Sequence, residues 1–128
     1  MKDFIIKGNT PSSKNAKQWT GKFLIANKNT QLWRKENEEY FKEHRDEFRE
    51  ATKDLRKPFY VYFSFVRKSR HKADFGNLCQ AVLDEMTKHD WIDDDNMDEI
   101  LPVPLVNPET GLCHSYDKEN PCTIITVI

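Results

Sequence analysis

The sequence predicts an α/β (α+β) fold: a small mixed β-sheet with two main helices packed on it, in the order β-β-α-β-α-β-β. Three stretches carry that reading. Phe59–Val66 is aromatic and β-branched almost throughout, with no Gly or Pro, the strongest strand signal in the chain. Between Thr30 and Lys53, Trp33, Asn37, Tyr40, Phe41, His44 and Phe48 recur at helical spacing among Glu, Lys and Arg. Over residues 75–89, Phe75, Leu78, Cys79, Val82, Leu83 and Met86 fall on one helix face. Asp74, Asn77, Ala81, Asp84 and Lys88 fall on the other, at about 100° per residue.

Taken in order, residues 2–8 read as a first strand, and Asn9–Asn15 as a loop of turn formers. Lys22–Asn27 reads as a second short strand, expected to pair with the first as a hairpin around that loop. The aromatic stripe of the 30–53 helix is core packing, and Pro58 closes the segment. Phe59–Val66 should lie centrally and deliver the chain into Arg67–Lys72, at the carboxyl end of a central strand, where open α/β sheets place their sites. Asp74 is a natural N-cap for the second helix. Met97–Leu105 contains Pro102 and Pro104, which makes it an edge or irregular strand. Asn107–Pro121 reads as a long polar loop, and Cys122–Ile128 as a closing strand.

At 128 residues the chain is expected to form a single domain, 1–128, burying roughly two-thirds of its unfolded surface. No internal repeat or low-complexity segment stands out. No apolar run approaches the roughly 20 residues that span a bilayer, and the N-terminus has no signal-peptide core, so no membrane partner is expected. Three cysteines, Cys79, Cys113 and Cys122, form no C-x-x-C pair, and an odd count argues against a disulfide framework. A reduced, cytoplasmic setting is expected. Cys113, His114 and Cys122 lack a fourth zinc ligand at any familiar spacing.

Charge is divided along the chain. Residues 1–72 carry 18 Lys and Arg against 9 Asp and Glu, whereas residues 73–128 carry 2 against 12. The balances of +9 and −10 make up the net −1. A basic pole attracts a polyanion, and an acidic pole repels it unless a cation neutralises it.

The two poles meet at one place. Arg67, Lys68, Arg70 and Lys72 form the densest basic run, and they lead into Asp74, Asn77 and Asp84 and then into Asp93-Asp94-Asp95. Two carboxylates about 4 Å apart repel by roughly 4 kcal/mol at an effective dielectric near 20. A hard divalent cation reverses that sign, because it takes oxygen ligands together with waters and substrate phosphate. Such a centre polarises a phosphodiester for hydrolysis. The plainer reading, which the acidic run alone favours, is that the three aspartates splay into water from an exposed turn.

In combination, Pro11-Ser-x-x-Asn15, the basic run into Asp74-x-x-Asn77, Asp84, and Trp91-Ile-Asp-Asp94 resemble the RusA family of phage-type Holliday-junction resolvases. The order of elements matches over nearly the whole chain, apart from an enlarged 107–121 loop. The resemblance implies a RusA-like fold and a Mg²⁺-dependent endodeoxyribonuclease, with Mn²⁺ as a substitute. It further implies a homodimer that nicks opposed strands of a four-way DNA junction in recombination or repair, leaving 5′-phosphate and 3′-hydroxyl ends. Asp74 corresponds to the first acid of the family's Asp-x-Asp-Asn element, Asn77 to its Asn, and Asp94 to the essential acid after the helix. Asp74, Asp94 and Asn77 are then catalytic, and Asp74, Asp94, Asp93 and Asp84 are metal ligands. Lys14, Asn15, Arg67, Lys68, Arg70 and Lys72 grip the DNA backbone.

Two positions depart from the family pattern. Gly76 stands where the second acid belongs, and Gln80 where a Lys belongs. Asp93, Asp95 or Asp84 can supply the missing oxygen, and Lys72, Lys14 or Lys88 the missing charge. The alternatives are a catalytically weakened or non-catalytic nucleic-acid-binding accessory protein, and a nuclease for flaps or other branched DNA.

Overall fold

A computed structural model describes residues 1–13, 17–19 and 24–128. Strand β1 spans Lys2–Lys7, β2 Lys17–Trp19 and β3 Leu24–Ala26, followed by helix α1 at Lys28–Thr52 and strand β4 at Phe59–Arg67. Helix α2 spans Phe75–Lys88, and strands β5, β6 and β7 span Ile100–Pro104, His114–Tyr116 and Cys122–Val127. The mixed sheet with two packed helices is the architecture the sequence predicts.

The sheet is assembled on β4. Its alternate residues Phe59, Val61, Phe63 and Phe65 are buried, the period-2 pattern of a strand with one face on a core. Antiparallel β7 pairs along one edge, with β1 beyond it. Parallel β5 pairs with Phe59–Phe63, and β6 pairs with Phe65–Arg67, also in parallel. Because β7 holds the opposite edge over Tyr62–Val66, β5 and β6 lie one after the other along a single edge. Leu105 N–H donates to the Phe63 carbonyl, and Phe65 N–H to the Cys113 carbonyl, so residues 106–113 form an excursion from an otherwise continuous line. The region read as a loop, 107–121, therefore contains a strand. Pro102 and Pro104 sit in β5, at the end of the strand order, where a missing N–H costs no ladder bond.

The first two predicted strands do not form a hairpin together. β1 pairs with β7, and β3 pairs with β2 in a separate two-stranded sheet. The cause is long-range: Phe4 and Ile6 alternate inward and join the same core as Ile125 and Val127, which local turn chemistry does not reveal. The free edge of β1 is covered by α1. Tyr40 Oη accepts from Ile5 N–H at 2.9 Å, and Asn37 Oδ1 accepts from Lys7 N–H at 3.1 Å. That explains a buried asparagine in an aromatic stripe, since an open edge otherwise templates aggregation.

Trp91 is the keystone of the core, 1% exposed. Its ring meets Phe4, Phe41 and Phe48 at centroid distances of 5.2, 5.1 and 4.9 Å, and its Nε1–H donates to the Phe41 carbonyl at 2.6 Å. The turn that sends it inward is a Schellman motif. Trp91 N–H donates to the Met86 carbonyl and Asp90 N–H to the Thr87 carbonyl, with Asp90 in the left-handed region at φ 62°, the place usually taken by glycine. On α2 the apolar face is as expected, except that Ala81, assigned to the polar stripe, is buried; its methyl group is small enough to pack at the boundary. Cys79, Cys113 and Cys122 are free thiols, and no helix among the described residues is long and apolar enough to cross a membrane.

Candidate functional site

The N-terminal loop joins the two charged poles. From the end of β4, Arg67 Nη1 donates to the Thr10 carbonyl at 2.6 Å, and Lys68 N–H to Asn9 Oδ1 at 3.0 Å. A few residues on, Ser13 Oγ donates to Asn77 Oδ1 at 3.2 Å. Residues 9–13 are thus laid from the basic strand end to the first turn of α2. Lys14 and Asn15, expected to hold DNA, lie outside the described residues.

Asp74 caps α2 as predicted: its Oδ1 accepts the Asn77 amide at 3.1 Å, filling one of the unpaired donors of the first turn. The group is exposed. A Cβ on Gly76 would stand 3.2 Å from Asp74 Oδ1, so the glycine that replaces the expected acid leaves that carboxylate uncrowded.

The acids after the helix divide into two groups. Asp93 turns toward the end of α1 and the segment after it, where Arg49 Nη2 meets its Oδ1 at 3.1 Å and Lys57 Nζ its Oδ2 at 3.2 Å. Those bonds, Lys57 foremost, hold its carboxyl below the usual carboxylate range. Asp90 is gripped by Arg45 and Arg49 at 2.7 and 3.1 Å, and its carboxyl is lowered in the same way, chiefly by Arg45. Asp94 folds into its own turn, accepting from Asn96 Nδ2 and the Asp95 amide, both at 2.9 Å, and these donors lower its carboxyl.

Asp95 goes the other way. Gln80 Nε2 donates to Asp95 Oδ2 at 2.6 Å and to Asp84 Oδ1 at 2.7 Å. One neutral amide thus draws together a carboxylate from the helix and one from the turn. No cation among the described residues pairs with Asp74, Asp84, Asp94 or Asp95, while Asp90 and Asp93 each hold two. From the sequence, Asp95 is only one of three possible replacements for the missing acid, and Gln80 is a missing cation; in the fold the two are bonded to each other. Gln80 lies six residues beyond Asp74, a rise of about 9 Å along the helix.

On the basic side, Arg67 is half-buried and its burial pulls the guanidinium down from its ordinary value, though arginine stays charged. Lys68, Arg70 and Lys72 are exposed. Arg70 lies over the Tyr116 ring at 4.3 Å, a contact the sequence reading missed; the only trace of it was the alternation of His114 and Tyr116 within a polar stretch.

Among the described residues no three His, Cys, Asp or Glu side chains are grouped so as to hold a metal ion by themselves. The donors present are nevertheless of one kind, oxygen, and two of them already converge on Gln80. Oxygen donors of this kind are the ones hard divalent cations take in general. No family model matches the chain, and no curated protein matches it.

Proposed function

We propose that this chain is a Mg²⁺-dependent endodeoxyribonuclease acting on four-way and related branched DNA, in the manner of the RusA-type resolvases its motifs resemble. The observation that carries this reading is the convergence of Asp84 and Asp95 on one amide without a described cation partner. Two carboxylates drawn to one amide still repel each other, and a bound cation would remove that repulsion.

In this reading Asp84 and Asp95 would hold Mg²⁺ or Mn²⁺, with Asp74 and Asp94 as the further acids that the motif supplies, and the ion would supply Lewis-acid polarisation of the phosphodiester when bound. Gln80 keeps the two carboxylates aligned, and Asn77, its side chain met by Ser13 and its backbone amide bonded to the Asp74 cap, is the neutral polar group of the motif. Arg67, Lys68, Arg70 and Lys72, joined by Lys14 and Asn15 from the loop, take the phosphate backbone, which gives affinity and salt dependence more than sequence choice. A homodimer in the cytoplasm matches the two-fold symmetry of the junction, one nick from each subunit.

The test is a labelled four-way junction incubated with the pure protein in Mg²⁺ and in EDTA. Paired nicks in Mg²⁺ alone, with weaker cutting of flap, duplex and single-strand substrates, support the proposal. Gly76 and Gln80, which replace an acid and a cation of the family pattern, favour a second reading: an accessory protein that binds branched DNA without cutting it. Tight binding in EDTA with no nick after Mg²⁺ is added assigns that reading instead.

A further inference from the structure

A concave site lies on the basic side, and Gln80, Asp84 and Asp95 are not among its lining residues. It is a cleft of about 290 Å³ between the end of β4, the Arg70–Ala73 segment, the first turn of α2 and β6. Aromatic side chains make up much of its wall, beside Leu78 and Cys113. Phe65 and Phe75 meet edge to face at 5.9 Å, and His114 and Tyr116 do so at 5.7 Å. Arg67, Arg70 and Lys72 line the same space, and no carboxylate does among the described residues. Tyr116 is 37% exposed, with Arg70 over one face of its ring at 4.3 Å, so a base would meet the ring's other face or displace the guanidinium.

This combination selects a ligand class. Aromatic rings and a guanidinium plane recognise flat π-systems, and three cations within the same walls recognise a phosphate attached to one. The volume stands at the lower limit of small-molecule pockets, enough for one nucleotide and too small for a paired duplex. We propose that the cleft holds a single unpaired nucleotide of a DNA strand, its base against Tyr116 and its phosphate on Arg67, Arg70 and Lys72. The role of the 106–113 excursion follows: it returns the chain to the β4 edge so that β6 can supply His114 and Tyr116. The inference rests on the reading above only in taking DNA as the polymer.

The experiment is fluorescence anisotropy in EDTA, comparing a duplex carrying a one-nucleotide bulge with a fully paired duplex of the same length. The wild type should prefer the bulge by about tenfold, the scale of one base stacked on one ring. Tyr116→Ala should bring that ratio to about one, and Tyr116→Phe should keep it. A photo-crosslinking 5-bromouracil placed at the bulge should attach to the β6 peptide of the wild type, a readout that needs no variant to fold. Equal affinity for the two duplexes, a preference that survives Tyr116→Ala, or crosslinks confined to other peptides overturns the inference. The outcomes are separable from the nuclease reading. A bulge preference with no Mg²⁺-dependent nick keeps the cleft and removes the enzyme, and nicking without a preference does the reverse.

Discussion

Within the six residues from Asp90 to Asp95 the chain builds two kinds of acid. Asp90 and Asp93 face α1 and the segment after it, and are each met by two cations. Asp95 faces α2 and shares one amide with Asp84. The first pair completes the fold: it ties the left-handed Asp90 turn and the stretch after Trp91 to α1. The second has no cation partner among the described residues and is held by the Gln80 amide alone. Equal side chains in one run thus differ in role through what each faces, and composition alone cannot tell them apart.

The largest effect comes from removing what both groups share. Trp91→Ala should cost about 3–5 kcal/mol of stability, as other buried tryptophans do when truncated, because Trp91 fixes where Asp93 and Asp95 emerge. Urea unfolding followed by circular dichroism measures it. A loss below about 1 kcal/mol would mean that the turn is held elsewhere.

Next comes catalysis. Asp95→Asn or Asp84→Asn should lower Mg²⁺-dependent nicking by roughly 100-fold or more, since even partners one step removed from a metal cost about 10–100-fold. Asp93→Asn should leave it within about twofold. Asp94→Asn decides between motif and geometry: a loss deeper than that of Asp95→Asn makes Asp94 the principal ligand, as the family pattern implies.

The smallest effect lies in acid. The Asp90, Asp93 and Asp94 carboxyls are lowered in the folded chain, so the folded state binds protons less readily than the unfolded one. Their stabilisation is present above the unfolded carboxylate value of about 3.9 and is lost as pH falls below it through the lowered folded values. Asp93→Asn should therefore flatten the fall in melting temperature below about pH 4, and added salt should do the same for the wild type. An unchanged acid limb would show that the Arg49 and Lys57 pairs contribute nothing measurable, as many exposed pairs do.

Much of this was legible in the residues. The pattern of Phe59–Val66 announced a strand buried on one face, and Asp74 announced its helix cap, because both are set by local rules. The partner of β1 was not legible, since it depends on where Phe4 and Ile6 find a core more than a hundred residues away. Nor was β6, a three-residue strand in a polar stretch whose pairing is supplied by the open edge of β4. For the site, the carboxylate types and the adjoining basic run were readable. The side on which each aspartate emerges was not, because the Schellman turn at Asp90 and the anchoring of Trp91 set it.

The most direct measurement of the central claim is the melting temperature with and without millimolar Mg²⁺ in three proteins: wild type, Asp93→Asn and Asp95→Asn. A bound ion stabilises the folded state by mass action. The account predicts a rise for the wild type and for Asp93→Asn, and none for Asp95→Asn. No rise in the wild type, or the same rise in all three, would contradict it.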